Sequence, residues 1–229
     1  MSSINKIIEF TEKKYSQNSF QNEDRIVFNF LKKFSNRKLE YLEAGSGTGR
    51  FPEILSKKYP NLLIKCIEIN KELVNITKAK GLDTIQGNII ETTFKDSEFD
   101  IVHCSHVIEH LGYPQIADTL DELVRIIKKD GYLIIRSPLM YPGFYFDIDH
   151  VRPYPPESIF NYFNNVQQQK TGKNKIKKIK IWYRREALSL NFSPNVIKRL
   201  INFSFRIMWT YIRFPFSKRN GYILILKKE

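Results

Sequence analysis

From residue 38 onward, short apolar runs alternate with stretches in which apolar positions recur every three or four residues. "KLEYLEA" leads into "RFPEILSKKYP", and "NLLIKCIEI" leads into "KELVNITKAKG". "LDTIQGN" and "FDIVHCS" follow, then a helical stretch with Ile116, Leu120, Leu123, Val124 and Ile127 on one face, and then "GYLIIRSP". Strand-like runs alternating with helices of this length predict a parallel sheet joined by right-handed crossovers. The predicted fold class is therefore α/β, doubly wound. Punctuation agrees: Pro60-Asn61 and Gly81 follow helices, and Asp130-Gly131 precedes a strand. Upstream, residues 4–35 carry Ile7, Ile8, Phe10, Ile26, Val27, Phe30 and Leu31 near helical spacing, which predicts a helical cap on the sheet.

After residue 137 the pattern breaks. "SPLMYPGFYFDIDHVRPYPP" holds five prolines and one glycine among aromatic and acidic residues, too irregular for an element and too apolar for a linker. "PESIFNYFNN" then predicts a short helix. "NKIKKIKIWYRR" sets Ile176, Ile179, Ile181 and Tyr183 among basic residues as a half-exposed strand does, and "GYILILKKE" reads as a more buried strand. There are no internal repeats. At 229 residues the chain suits a single domain: a cap over 1–37, a core over 38–138, and a C-terminal part over 139–229.

Charge sharpens that division. Residues 1–150 hold 20 Lys+Arg against 21 Asp+Glu, whereas residues 151–229 hold 17 against 3. A field so lopsided favours anionic partners, with a merely solvated face as the alternative. "MSSINKIIEFTEKKY" reaches a charge too soon for a secretory leader and no stretch offers 18 uncharged apolar residues, so a cytoplasmic location is expected. Cys66 and Cys104 lie in apolar strand-like runs and read as buried thiols, so neither a disulfide framework nor a metal site is predicted.

The candidate chemistry begins at "YLEAGSGTGRF", residues 41–51. Gly45, Gly47 and Gly49 sit between a strand and a helix, where a ligand can approach backbone N–H groups at a positive helix end. Arg50 stands where the dinucleotide fingerprint wants its last glycine, which disfavours a pyrophosphate and hence a nicotinamide oxidoreductase. Glu43 ends the first strand and suits an ammonium group better than a phosphate. Glu68 ends the second strand 19 residues after Gly49, near the spacing of about 20 for an acid that accepts ribose hydroxyls.

"LEAGSGTGRF", "IEIN", "QGN", "FDIVHCSHVIEHL" and "LKKDGYLIIRSP", in this order, resemble class I S-adenosylmethionine-dependent methyltransferases over residues 38–138. The resemblance implies a Rossmann-like, mostly parallel seven-stranded sheet with S-adenosyl-L-methionine as cofactor and S-adenosyl-L-homocysteine as product. It places Glu43, Ala44, Gly45, Gly47 and Gly49 around the methionine moiety, Glu68 on the ribose hydroxyls, Ile69 and Ile89 beside the adenine, and Asn88 at its edge. Many relatives carry Asp at that last position, and the Asn carbonyl can still accept from the exocyclic amine. "CSHVIEHL" is similar to the small-molecule branch that carries "EHL". There Ser105 and His106 border the sulfonium, with His106 a catalytic candidate. Glu109 and His110 are either catalytic or a pair that orients the following loop.

In "DIDHVRPYPPESI", His150 is flanked by Asp147, Asp149 and Arg152. A His beside a carboxylate suits a general base, and a loop-ordering role for His150 and Arg152 is the alternative. The "HVRP" turn resembles methyltransferases associated with cell-surface glycan and O-antigen gene sets. "KRLINFSFRIMWTYIRFPFSKR", residues 198–219, reads as a basic aromatic helix. It suits a membrane interface, a core or homodimer contact, or stacking on RNA bases. The expected function is O-methylation of a sugar or a lipid- or phosphate-linked glycan, with peripheral contact at the inner membrane face through 198–219. Quinone-like or lipid acceptors, RNA, and a non-catalytic nucleotide-binding scaffold are the alternatives.

Overall fold

The computed structural model describes Phe10 and residues 23–164, 171–172, 175–188, 196–212 and 217–229. Helix α1 covers residues 23–31 and runs into a 3-10 turn, Lys32–Phe34. Then β1 (Leu39–Ala44), α2 (Arg50–Lys58), β2 (Leu62–Glu68), α3 (Lys71–Ala79), β3 (Asp83–Gln86), β4 (Phe99–Ser105), α4 (Gln115–Arg125) and β5 (Ile127–Pro138) alternate. The remainder is α5 (Pro156–Asn164), β6 (Ile176–Ala187), α6 (Val196–Ile212) and β7 (Ser217–Lys228).

The seven strands form one sheet in the order β3-β2-β1-β4-β5-β7-β6. Strands β1 to β5 pair in parallel, and β7 pairs antiparallel with both β5 and β6. The doubly wound α/β class is therefore as the sequence predicts. The apolar runs are continuous because the central strands are covered on both faces. Tyr41, Ile101, Ile134, Ile223 and Ile225 pack under α1 and α2 with Val27, Leu31, Phe51 and Leu55. Their alternates Leu42, Val102, Leu133, Ile135 and Leu224 pack under α4 and α5 with Leu120, Leu123, Ile159 and Phe163. The described part of the cap thus closes one face of the sheet, while residues 4–9 and 11–22 lie outside the described residues.

Two boundaries differ from the sequence reading. Ile127 continues the apolar face of α4 but is the first residue of β5, because Ile126 ends the helix and Ile127 pairs with Phe99. Within 198–219 the described helical residues run to Ile212, residues 213–216 lie outside the described residues, and Ser217 already belongs to β7. Nor is this helix a core element: Leu200, Ile201, Tyr211 and Ile212 are exposed, and among its described side chains Thr210 alone is buried.

Candidate cofactor and acceptor site

Strands β1 and β4 are parallel neighbours whose following helices α2 and α4 cover opposite faces, so a crevice opens at their carboxyl ends. The glycine loop lines it. Gly45, Gly47 and Gly49 adopt φ of 79°, 53° and 74°, the left-handed region that side chains disfavour. A Cβ on Gly45 would come within 2.4 Å of Val107, and one on Gly49 within 2.8 Å of Thr77 and Leu82. At Gly47, by contrast, a Cβ would meet no heavy atom within 4 Å. That space is open to a ligand and not to neighbouring protein.

Carboxylates hold the loop. Glu68 Oε2 accepts from the Gly47 N–H at 2.8 Å and Oε1 from the Asn70 N–H at 3.1 Å, and each oxygen keeps a lone pair for a ribose hydroxyl. Glu43 is buried. Its Oε2 accepts from the Tyr41 hydroxyl and lies 2.9 Å from His103 Nδ1, its β4 neighbour in register. Ala44 is buried at the end of β1, Ile89 is buried behind the loop, and Ile69 stands 65% exposed beside the crevice. Asn88 accepts the Ile90 N–H at 3.0 Å through Oδ1, and Ser105 ends β4 half-buried. The buried Ser46 hydroxyl has no hydrogen-bond partner among the described residues. A left-handed loop with open space at Gly47, an unpartnered hydroxyl and a carboxylate at the end of the neighbouring strand together fit a nucleoside carrying a sulfonium side chain.

His106 follows β4 in a left-handed conformation, φ 55°. Its Nδ1 lies 3.1 Å from Glu109 Oε1, and its Nε2 lies 3.7 Å from Glu23 Oε2. Burial works against charging the ring, yet these two carboxylates outweigh it and raise its pKa. Glu23 and Asp24 on α1 bind Arg136 Nη2 at 3.0 Å each, Arg184 lies 3.2 Å from Glu23, and Arg50 lies 2.7 Å from Asp24. Burial would push the Glu23 carboxyl up, but His106, Arg184 and Arg136 hold it down at about 2. Arg50, which the sequence marks as the residue that breaks the dinucleotide motif, anchors the cap instead.

The "EHL" stretch forms a 3-10 turn, Ile108–His110, that orders the loop after β5. The Glu109 carbonyl accepts from the N–H groups of Val151 and Arg152, the Leu111 carbonyl accepts from the Tyr154 hydroxyl, and His110 Nδ1 lies 3.0 Å from the Asp149 carbonyl. His150 is thereby brought beside the 3-10 turn that follows β4, its ring centroid 5.0 Å from that of His110. Its Nδ1 sits 2.6 Å from the Phe144 carbonyl, its ring packs tilted by 33° against the Phe144 ring, and its Nε2 lies 3.7 Å from Asp147 Oδ2. A carbonyl orients the ring, where the sequence suggested a carboxylate. Beside it, Tyr141, Phe146, Ile148, Arg206 and Lys218 line a cleft of about 670 Å³. Cys66 and Cys104 are buried, and burial pushes the Cys66 thiol up to about 12 and the Cys104 thiol higher still. Neither is a nucleophile.

The parts that sequence reasoning missed are His103, Glu23, Asp24 and Arg136. His103 sits in an apolar strand run, and the other three become neighbours only through contacts spanning more than 110 positions. No local pattern signals them.

Residues 42–135 match the family model described as a methyltransferase domain. An uncharacterized protein of Methanocaldococcus jannaschii is 33% identical over 135 residues, covering 53% of this chain and 56% of that protein. The malonyl-[acyl-carrier protein] O-methyltransferase of Herminiimonas arsenicoxydans is 30% identical over 96 residues, 42% of this chain and 36% of that enzyme. The chain thus matches about half, or less, of the length of these relatives. The crystal structure of a SAM-dependent methyltransferase from Archaeoglobus fulgidus aligns with TM-score 0.58 and 22% identity over 91% of this chain and 94% of that one. Residues 42–135 are thus similar to a methyltransferase domain, and the chain has the fold of the S-adenosylmethionine-dependent methyltransferase from Archaeoglobus fulgidus.

Proposed function

We propose that this chain is an S-adenosylmethionine-dependent methyltransferase that acts on a hydroxyl of a sugar or of a lipid- or phosphate-linked glycan. The observation that carries the reading is the delivery of His150 to an aromatic cleft that also holds Arg206 and Lys218 and the carboxylates of Asp147 and Glu186. At about 670 Å³ the cleft suits a ligand of sugar size. Tyr141 and Phe146 offer faces to pyranose C–H groups, Arg206 suits a phosphate, and Lys218, paired with Glu186 at 3.1 Å, and that carboxylate suit sugar hydroxyls. The O-methyltransferase among the relatives favours oxygen as the accepting atom.

When bound, the cofactor supplies a methyl group that passes to the acceptor oxygen as its bond to sulfur breaks and the electron pair stays on sulfur. The chain's own residues position and deprotonate. Glu68 and the glycine loop align the donor for in-line transfer. A carbonyl only accepts, so the contact with Phe144 places the proton of neutral His150 on Nδ1 and leaves Nε2 to take the hydroxyl proton. Asp147, 3.7 Å from Nε2, then stabilises the imidazolium. His106, held between Glu109 and Glu23, would support the floor of the crevice where the donor binds.

The exposed apolar side of α6, with Leu200, Ile201, Tyr211 and Ile212, supports peripheral contact with a cytoplasmic membrane face where lipid-linked acceptors lie. No described helix is long and apolar enough to cross a membrane. Incubation with isotopically labelled donor and glycan, lipid and RNA fractions tests the reading. Label is expected in glycan or glycan-bearing lipid. Label in RNA or in free quinone-like lipid overturns the acceptor, and label in no fraction leaves a cofactor-binding scaffold.

A further inference from the structure

We infer that Glu109, His110 and His150 form a binding site for one first-row divalent cation of the zinc or cobalt type, on the acceptor side of the cofactor crevice. What the cation does there rests on the methyl-transfer reading; that it binds does not. One carboxylate oxygen of Glu109 and one ring nitrogen from each histidine lie within 4.8 Å of one another. Glu109 and His110 are adjacent in the 3-10 turn, and His150 returns to them because Val151 and Arg152 donate to the Glu109 carbonyl.

The second observation is how the rings are held. His110 Nδ1 faces the Asp149 carbonyl at 3.0 Å and His150 Nδ1 faces the Phe144 carbonyl at 2.6 Å. Each neutral ring therefore carries its proton on Nδ1 and its lone pair on Nε2. Backbone carbonyls that fix the non-ligating nitrogen are the usual outer support of metal-binding histidines. Glu109 is supported likewise: it is fully buried, with Oε1 beside His106 Nδ1 and Oε2 accepting from the Ser137 hydroxyl. Two imidazoles and one carboxylate suit zinc, cobalt or iron(II) with open positions remaining, whereas magnesium prefers oxygen ligands. Metal–nitrogen bonds of about 2.1 Å set tetrahedral ligands about 3.4 Å apart, so the three groups need close by little more than an ångström.

His150 also lines the cleft, where Asp147 Oδ2 lies 3.7 Å from its Nε2. An acceptor hydroxyl on the cation loses its proton more readily, and that proton passes to Asp147 or to water with no change of oxidation state. His150 then serves as ligand and Asp147 as proton acceptor. With the cation bound, Asp147 takes over the proton that His150 Nε2 accepts in the metal-free site.

Optical titration of the full chain with cobalt(II), with S-adenosylhomocysteine present, tests the site without any methyl transfer. The expected result is visible absorption bands that saturate at one equivalent and vanish on adding zinc(II). His110→Ala and His150→Ala should each weaken cobalt binding about 100-fold, while both variants keep the rise in Tm caused by S-adenosylhomocysteine, which shows that they fold. A wild-type protein with neither bands nor a cobalt-dependent rise in Tm overturns the inference. So do bands of undiminished strength in both variants. A protein that binds cobalt yet methylates no fraction keeps the site and loses the proposed function.

Discussion

The carboxyl ends of β1 and β4 and the region after β5 share one crevice but are built oppositely. On the cofactor side, backbone and buried carboxylates fix nearly every group: Glu68 holds the Gly47 N–H, and Glu43 takes up Tyr41 and His103. On the acceptor side, large apolar side chains stand in the open, with Phe146 72%, Ile148 96%, Leu200 61% and Ile212 70% exposed. A site that handles one unvarying ligand is rigid before the ligand arrives. A surface left apolar and uncovered is completed by what it meets.

The comparison breaks most completely at Gly47. Gly47→Val places a branched side chain at φ 53° in the one loop position that is otherwise open, so cofactor binding should vanish. The check is a Tm that no longer rises with S-adenosylmethionine concentration, as binding to the native state alone requires of the wild type. Across the crevice, His150→Ala should lower kcat roughly 10²-fold and leave donor affinity unchanged, as single-turnover kinetics and calorimetry would show. Equal losses in donor binding from both variants would erase the distinction between the two sides.

The joint between the regions comes next. Glu23 bridges α1 to Arg136 on β5 and Arg184 on β6. Its pKa is depressed from 4.5 to about 2, so the folded state binds this proton less readily than the unfolded chain does. The stabilisation is present above pH 4.5 and is lost as pH falls toward 2, a total of about 3 kcal/mol. Glu23→Gln should abolish that part of the acid dependence and destabilise the protein by about 3 kcal/mol near neutrality, since Arg136 is left buried without its full partner. Denaturant unfolding at a series of pH values measures both.

The smallest effect belongs to α6. Wild-type protein should sediment with anionic vesicles and keep part of that binding in high salt, because screening shortens the Debye length from about 10 Å at 0.1 M to about 3 Å at 1 M but leaves apolar contact intact. Ile212→Ser should reduce the salt-resistant part severalfold with Tm unchanged, as befits a side chain 70% exposed. Binding that falls steeply with salt to nothing, on RNA and not on vesicles, would instead assign the charge to phosphate backbones. A dimer by light scattering that this substitution dissociates would assign the face to a second copy.

The sequence announces the sheet because β-branched runs covered on both faces leave no polar alternation to confuse with helix. It announces the glycine loop because φ above zero narrows the choice to glycine. Ile127 is misplaced because apolar periodicity continues across a helix end that backbone pairing, not side-chain pattern, determines. The sequence leaves 198–219 open between membrane, core and partner for a related reason: hydrophobicity says that a face wants cover, not whether this chain supplies it. The Glu23–Arg136 joint and the meeting of His110 with His150 lie beyond any local pattern. The first spans 113 positions, and the second depends on a backbone carbonyl, which every residue has.

The strand order carries one more consequence, for the order of events as the chain is made. β6 lies at the sheet edge, and its one paired neighbour among the described residues is β7, which is synthesised after it and after α6. β5 likewise waits for β7 on its outer side. As the chain leaves the ribosome, the five parallel strands have what they need to pair while β6 still has no partner, and a single late segment closes the sheet on two sides at once. Slow codons or a stall between α6 and β7 would therefore hold the nascent protein with its donor pocket formed and its acceptor wall missing.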